Sequence, residues 1–272
     1  MEEFEVEELS IYWNVDEEKF KDKISKHYNI MVAGFPPLGN IIPYHLKELL
    51  SDSEKIMSFY SYNFPPMVEA HDEEFVIPHD ELWYSEEKRL FCYIGKYPET
   101  EYLPKSAYKQ SEGLARVAKE LHVRELYTVG VVMPFQQPFR NTKPGIEAYI
   151  GYFEGSHKEL PHASVKMTRK NIGRYTIIRK TGLLPGFASK LGIESYSILG
   201  VGKYPEDLRA CAGALRAFKR MSGLELETGA IEKMLHESAE AVEERIKQQI
   251  AKSTSTYRGD GVGADSSQYM YG

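Results

Sequence analysis

Two apolar runs limit what this chain can fold into more than any other feature. Residues 126–133 (Leu-Tyr-Thr-Val-Gly-Val-Val-Met) and residues 195–201 (Ser-Tyr-Ser-Ile-Leu-Gly-Val) contain no charged side chain. Short runs of this kind, which lack the alternation of a half-exposed strand, are typical of strands buried on both faces of a parallel sheet. Such a sheet must be covered by helices, so we expect an α/β fold.

The segments around these runs alternate between strand and helix patterns. Further strands are predicted at residues 29–34, 55–62, 74–77, 81–84, 89–95 and 147–153, with a hairpin through residues 85–88. Helices are predicted at residues 44–50, 106–121, 205–221 and 228–250, and residues 183–191 are expected to pass from loop into helix. The sequence therefore predicts a mainly parallel sheet flanked by helices, with a β-hairpin insertion and a C-terminal helix.

A polar segment follows the last predicted helix. Residues 252–267 are rich in Ser, Thr, Gly and Asp, and Val262 is the only aliphatic residue among them that is larger than Ala. Such a segment cannot offset the entropy that is lost when its backbone is ordered. We therefore expect one α/β domain at residues 1–251 and a flexible, disordered tail at residues 252–272.

The tail ends in Met270, Tyr271 and Gly272, which differ in character from the residues before them. Met270 and the ring of Tyr271 offer apolar surface, the phenol offers a hydrogen bond, and the carboxylate of Gly272 can pair with a lysine in a pocket. An ordinary frayed terminus is the alternative. A frayed terminus gives no reason for aromatic residues to cluster at its tip, so these three residues are the candidate binding site.

Composition excludes several classes of function. The net charge of −6 and the pI of about 5.8 argue against nucleic acid or an anionic membrane as the main partner. The N-terminus is acidic where a signal peptide would be basic, and no apolar run approaches the ~18 residues of a membrane span. We expect a cytoplasmic protein in which Cys92 and Cys211 are buried and reduced.

Three motifs, taken in order, resemble those of the proteasome assembly chaperone family, especially its archaeal members. They are Gly-Phe-Pro-Pro-Leu-Gly-Asn at residues 34–40, Gly-Leu-Leu-Pro-Gly at residues 182–186, and Gly-Ile at residues 192–193 leading into Tyr-Ser-Ile-Leu-Gly at residues 196–200. The resemblance covers residues 28–250. One departure is Ile-Ile-Pro at residues 41–43, where many family members have Val-Gly, and it affects only the start of the first predicted helix.

The resemblance implies a fold, partners and a mode of action. The fold would be a Rossmann-like α/β domain that assembles into a homo-oligomer, a tetramer or pentamer. Its partner would be the α-ring of the proteasome core particle, reached through a hydrophobic-Tyr-any (HbYX) tail that corresponds here to Met270, Tyr271 and Gly272. The family includes ATP-independent activators and assembly chaperones, and these motifs do not separate the two. No enzymatic activity and no cofactor are implied.

A small-molecule enzyme or ligand binder that uses the loop from Gly34 to Asn40 is the alternative function. Doubly wound folds bind phosphates at this position. The spacing here lacks the Lys-Ser or Lys-Thr of a P-loop and the G-x-G-x-x-G of a dinucleotide site, and Pro36 and Pro37 remove two N–H donors. These features favour a structural turn.

A metal site is conceivable where His71 and residues 72–74 come close in sequence to His79, Asp80 and Glu81. No spacing typical of zinc or calcium ligands supports it, so a polar rim beside a hairpin is the favoured interpretation. No G-x-S-x-G motif is present, and neither cysteine has a neighbouring histidine in sequence. We therefore predict no metal and no catalytic nucleophile.

Overall fold

Most strands of the chain join in a single nine-stranded sheet. The computed structural model describes residues 9–71, 74–97, 104–133, 139, 142–172, 177, 179–204 and 206–256. Its strands are β1 (Ser10–Trp13), β2 (Asn29–Gly34), β3 (Glu54–Tyr60), β4 (Glu69–His71), β5 (Glu74–Val76), β6 (Asp80–Ser85), β7 (Leu90–Ile94), β8 (Val123–Val132), β9 (Ala148–Tyr152), β10 (Ser164–Lys166) and β11 (Glu194–Val201). Its helices are α1 (Glu17–Ile24), α2 (Ile41–Leu49), α3 (Pro104–Glu120), α4 (Arg169–Ile172), α5 (Arg179–Lys190), α6 (Arg209–Ser222) and α7 (Gly229–Thr256). The sheet order is β1-β3-β6-β7-β2-β8-β11-β9-β10, and β4 and β5 form a separate antiparallel pair.

The centre of the sheet is parallel, as predicted. Strands β7, β2, β8 and β11 run in one direction, and β8 lies between β2 and β11, with Val129 opposite Ile198. Next to this centre the pairing is antiparallel, since β1, β3 and β6 add to one side and β9 pairs with β11 on the other, whereas the outermost strand β10 runs parallel to β9. A short turn such as the predicted hairpin between β6 and β7 can join only antiparallel neighbours. The short turn therefore explains the antiparallel pairing of β6 with β7, whereas β1 with β3 and β9 with β11 are joined by longer connections.

Helices cover both faces of the central strands. Side chains alternate along β2, so that Ile30 and Val32 pack with α2, α6 and α7, whereas Met31 and Ala33 pack with α1, α3 and α5. The core is thereby divided into two layers, one on each side of the sheet. This arrangement is the α/β fold that the sequence predicts.

Both cysteines lie in the core. Cys92 and Cys211 are free and buried, as predicted. Burial raises the pKa of Cys211 to about 12, which keeps its thiol protonated at neutral pH. Within the part of the chain that the structure describes, no helix combines the length and apolarity needed to cross a membrane.

Helix α5 contains a proline whose effect on the backbone is compensated by the sheet. Pro185 has no N–H, so the carbonyl of Thr181 lacks its usual helical donor. The hydroxyl groups of Thr128 in β8 and Ser197 in β11 each donate to this carbonyl at 2.6 Å. The helix can therefore continue through the proline, and it begins at Arg179 rather than near residue 183.

This compensation can be measured as an energetic coupling. Thr128→Val removes one of the two donors, and we expect it to lower the free energy of unfolding by about 1–2 kcal/mol. Pro185→Ala restores an N–H at residue 185, so the cost of Thr128→Val should fall by about half in that background. Urea unfolding of the four proteins in this double-mutant cycle gives the coupling. An equal cost in both backgrounds would contradict the assignment.

Several elements begin or end away from their predicted positions, and five were not predicted: β1, α1, β4, β10 and α4. Neither β1 nor α1 was predicted, although Asp16 accepts a hydrogen bond from the backbone N–H of Lys19 at 3.1 Å and is a recognisable N-cap. Helix α6 begins at Arg209 rather than residue 205, and the carboxylate of Asp207 accepts hydrogen bonds just before it. Helix α7 extends to Thr256, beyond the predicted end at residue 250. Of these elements, α1 has a side-chain N-cap that the sequence could have shown.

Candidate docking site and its platform

The predicted docking residues follow the last helix of the fold in sequence. Met270, Tyr271 and Gly272 lie outside the described residues, which end at Thr256. The structure describes α7, the helix that precedes them. Because α7 includes residues 251–256, the segment after the last helix starts at residue 257 and not at residue 252. Ala and Lys at residues 251 and 252 are good helix formers, which is consistent with this extension.

The N-terminal half of α7 is packed firmly on the body. Ile231, Leu235 and Ala239 are buried at four-residue spacing, so they lie on one face of the helix. Ile231 and Leu235 belong to the core that α6 shares with the central strands. The hydroxyl of Tyr204 also donates to the carbonyl of Ala239 at 2.8 Å. Burial of each of the two larger side chains contributes about 1.5–3 kcal/mol.

Two arginines of α6 hold the same half of α7. Arg216 lies 3.0 Å from Glu232, and Arg209 bridges Asp207 at 2.7 Å and Glu243 at 2.9 Å. The hydrogen bond from Arg209 lowers the pKa of Glu243, which favours the charged form of that carboxylate. The direction in which α7 leaves the body is thus set by side chains on a packed helix.

Beyond Glu243 the helix leaves the described body. Residues 244–248 are exposed, and Ile246, which continues the predicted apolar stripe, is 38% exposed. From Ala239 to Thr256 the helix spans about 25 Å at 1.5 Å per residue. The distal half of α7 therefore forms a stalk whose root is in the core and whose end carries the last residues of the chain.

The space beside the loop at residues 34–40 is occupied by backbone atoms of the protein itself. A Cβ atom at Gly34 would lie 2.1 Å from the carbonyl oxygen of Gly39, and a Cβ atom at Gly39 would lie 2.2 Å from that of Val129. Phe35 and Leu38 from the same loop are buried. The glycines allow the backbone to approach itself and β8 closely, which supports the structural turn over the alternative small-molecule site.

A buried polar cluster joins strands β6 and β7 to helices α3 and α5. Asp80 is fully buried, and it accepts hydrogen bonds from the Tyr93 hydroxyl and the Lys96 backbone N–H, both at 2.7 Å. Lys180 Nζ lies 3.9 Å from Asp80 and 3.1 Å from Gln110 Oε1. Burial raises the pKa of Asp80, and the charge of Lys180 opposes that rise. The polar-rim interpretation is therefore wrong for Asp80, which faces the core.

Glu81 points to the other side of β6 and has its own partners. Its carboxylate accepts hydrogen bonds from Trp83 Nε1 at 3.0 Å and Lys96 Nζ at 2.9 Å, and His79 Nε2 lies 3.4 Å away. Both carboxylates contact Lys96, Asp80 through the backbone N–H and Glu81 through the ammonium group, and their other partners differ. Residues 72 and 73 of the considered metal site lie outside the described residues. Among the residues that are described, no three His, Cys, Asp or Glu side chains group in a way that could hold a metal.

Glu81 should make stability depend on pH. Partial burial acts to raise the pKa of Glu81, but nearby His79 and the hydrogen bonds from Trp83 and Lys96 outweigh it and lower that pKa. A lowered pKa stabilises the fold above the unfolded-state pKa of about 4.3, and this contribution is lost as the pH falls below it. Glu81→Gln should therefore cost about 1–3 kcal/mol at pH 7 and much less near pH 3.

Urea unfolding at both pH values measures this difference. Glu87→Gln changes a carboxylate with a 68% exposed side chain in the turn between β6 and β7, so it serves as the matched control and should follow the wild-type protein. A difference between wild type and Glu81→Gln that stays constant from pH 7 to pH 3 would contradict the assignment.

A family match covers most of the chain. The model of the PAC2 family matches residues 31–250. No curated protein matches the chain in sequence. The matched range includes the loop at residues 34–40, the buried polar cluster and the root of α7.

Solved structures share the fold of the chain. The crystal structure of PbaB from Pyrococcus furiosus, described as an archaeal proteasome activator, superposes with a TM-score of 0.66 at 20% identity and covers 89% of this chain and 98% of that one. PbaA from the same organism, described as an archaeal homolog of proteasome-assembly chaperone, gives a TM-score of 0.62 at 18% identity and covers 85% and 91%. A PAC2 family protein from Streptomyces avermitilis gives 0.55 at 15% identity and covers 81% and 95%. At these identities the similarity establishes the fold.

Proposed function

The chain belongs to the PAC2 family, and we propose that it binds the α-ring of the proteasome core particle through its C-terminal tail. The observation that carries this proposal is the stalk, the distal half of α7, which is rooted in the core and leads to an end with the residues Met270, Tyr271 and Gly272. The shared fold with PbaA and PbaB supports a proteasome-related role. In this proposal the protein acts in the cytoplasm as an activator, an assembly chaperone or both.

The chemistry of the tail suits a narrow pocket between two subunits. Met270 and Tyr271 present apolar surface, and the carboxylate of Gly272 can pair with a lysine at the base of the pocket. Few atoms are buried in such a contact, so one tail binds weakly on its own.

The segment after the stalk has the length to reach such a pocket. Sixteen residues follow Thr256, and four of them are Gly and two are Ser, a composition that suits a flexible linker. Fully extended, they span about 55 Å, and as a random coil their mean end-to-end distance is about 20–25 Å. A rigid stalk followed by a short linker keeps the tip close to its target without fixing its orientation.

Several tails on one homo-oligomer would make the weak contact effective. Once one tail is bound, the others bind in an intramolecular step, and this raises the avidity by roughly 10²–10⁴. We therefore propose a homo-oligomer, a tetramer or pentamer, that presents one tail per copy. If the open arrangement of the ring binds the tails better than the closed one, tail binding favours opening without ATP, a catalytic residue or a cofactor.

Removal of the last three residues tests the proposal. Full-length protein should bind purified core particles and raise their hydrolysis of a fluorogenic peptide, whereas protein ending at residue 269 should do neither. An assembly chaperone that holds α-subunits through its body would lose binding to the finished core on truncation but keep binding to free α-subunits. Core binding that is unchanged by the truncation would overturn the tail mechanism.

A further inference from the structure

An apolar groove lies at the β1 edge of the sheet. This groove, which we call the tyrosine groove, has a volume of about 1000 Å³ and lies between the strands β1 and β3 and the chain that follows β3. It is lined by apolar residues that include Tyr12, Tyr60, Tyr62, Met67, Val68 and Ile77. Among the described residues that line it, none is charged.

The described part of the chain leaves much of the tyrosine groove open to water. Tyr62 is 91% exposed and Ile77 is 63% exposed, and Val68, Met67 and Tyr12 are between 42% and 58% exposed. Together these five residues expose on the order of 400 Å² of apolar side-chain surface, at about 200 Å² for a whole aromatic side chain and about 100 Å² for a whole aliphatic one. An apolar patch of that size commonly has an occupant.

The register of β1 leads the preceding residues of the chain to this groove. Strand β1 is antiparallel to β3, with Ser10 opposite Tyr60, so the chain before Ser10 runs towards the residues that follow Tyr60. One of those residues, Tyr62, lines the groove, and so does Ser10 itself. At about 3.4 Å per extended residue, residues 4–6 can reach about 14–20 Å beyond Ser10. Residues 1–8, which lie outside the described part of the chain, are therefore tethered at the border of the groove.

The side of the strand on which apolar residues lie changes just before β1. Within β1 the odd-numbered Ile11 packs against the core, whereas the even-numbered Tyr12 lines the groove on the other face. In residues 1–8 the pattern is reversed, because Phe4 and Val6 are even-numbered and glutamates occupy positions 3, 5 and 7. An extended continuation of β1 therefore directs Phe4 and Val6 to the groove side and these three glutamates away from it.

We propose that residues 1–8 form a strap that packs Phe4 and Val6 into the tyrosine groove of the same chain. The groove offers an uncharged apolar surface, and the strap supplies two apolar side chains at the spacing of one strand face. The strap thereby shields from water a patch that would otherwise be available to other proteins. This inference concerns a surface that the proposed function does not use, and it does not depend on the tail.

Two opposing effects keep the closed strap easy to open. Ordering eight residues costs conformational entropy, which the burial of only two larger apolar side chains must offset. The strap is also acidic, and Glu69 follows the lining residue Val68, so like charges oppose closure. Loss of Phe4 and Val6 should therefore shift the population to the open form.

The double variant Phe4→Ser, Val6→Ser tests the strap. Nile red, an uncharged dye that fluoresces in apolar surroundings, can enter the groove only when the strap is open. Because burial of one such side chain favours closure by about 10-fold or more, we expect the double variant to bind the dye with about 5- to 10-fold higher apparent affinity. Glu3→Ser, Glu5→Ser is the matched control, since it makes the same kind of change on the opposite face of the same segment, and it should not raise the affinity. Circular dichroism checks that both variants are folded.

A second pair of substitutions shows where the dye binds. Tyr62→Asp and Met67→Asp place charges in the groove at exposed positions, so adding them to Phe4→Ser, Val6→Ser should abolish the gain in dye affinity. A gain that survives these charges would overturn the inference, as would unchanged dye binding in the Phe4→Ser, Val6→Ser protein or an equal gain in the glutamate control.

Sedimentation equilibrium distinguishes a strap within one chain from an exchange between copies. The mass of the Phe4→Ser, Val6→Ser protein should equal that of the wild-type protein, and a lower mass would place the segment on a second copy and overturn the inference. Binding to core particles should be unchanged in this variant. Failure of wild-type protein to bind core particles would overturn the proposed function and leave the dye measurements as they are.

Discussion

Tyr271→Ala is expected to reduce binding to the proteasome core at least ~100-fold. A buried aromatic anchor with a hydrogen bond commonly contributes 2 kcal/mol or more to a contact of this kind, which is a factor of about 30 per tail. In an oligomer every tail carries the change, so the losses combine and avidity falls further. Binding of core particles to immobilised oligomer, measured at several protein concentrations, gives the ratio of apparent affinities.

The chain offers a close control for this substitution. Tyr269 is also a tyrosine, lies two residues earlier and is outside the hydrophobic-Tyr-any motif. Tyr269→Ala should lower the affinity by less than ~5-fold, because that side chain is not the pocket anchor. Equal effects of the two substitutions would indicate that the tail binds nonspecifically and would contradict binding in a specific pocket. One residue added after Gly272 should act like Tyr271→Ala, because it moves the carboxylate.

Lys180→Met is expected to cost about 3–5 kcal/mol of folding stability. The change removes the ammonium group that lies 3.9 Å from the fully buried carboxylate of Asp80, and an uncompensated charge remains in the core. For a domain of this size the loss corresponds to a fall in Tm on the order of 10 °C. Thermal unfolding followed by circular dichroism measures it.

Two further variants test the cause of that loss. Lys190→Met makes the same change in the same helix, but the Lys190–Glu154 pair is 72% and 76% exposed, so we expect a cost below about 1 kcal/mol. The double variant Asp80→Asn, Lys180→Met removes both charges and should recover at least half of the loss, since no buried charge is left unpaired. A double variant as unstable as Lys180→Met would show that packing of the lysine stem, and not its charge, is the main contribution.

Much of the fold follows from local patterns in the sequence. Residues 126–133 and 195–201 are strands β8 and β11 in the parallel centre of the sheet, and the helical periodicity of residues 106–121 identifies α3. Segments shorter than about two turns or with few apolar residues were missed, as β1 and α1 show. The direction of the edge strands was not predictable from periodicity, because it depends on which strands become neighbours.

Part of the candidate site, too, could be predicted from the sequence, and part could not. The residues Met270, Tyr271 and Gly272 are recognisable from sequence alone, because their chemistry does not depend on a fold around them. The sequence could not show that α7 is rooted by Arg209 and Arg216 and exposed at residues 244–248, since burial depends on partners that are distant in the chain. Their role in binding remains the prediction that the truncation and Tyr271→Ala test.

The sequence by itself determined the class of fold, the order of most strands and helices, and the chemical character of the last three residues. Each of these depends on the periodicity or composition of a short segment, and these properties are the same in the folded and the unfolded chain. Only the tertiary structure decided that Asp80 and Lys180 meet in the core and that the carbonyl of Thr181 accepts hydrogen bonds from the sheet. These contacts join residues far apart in sequence, and their energies arise only when packing removes water from between them.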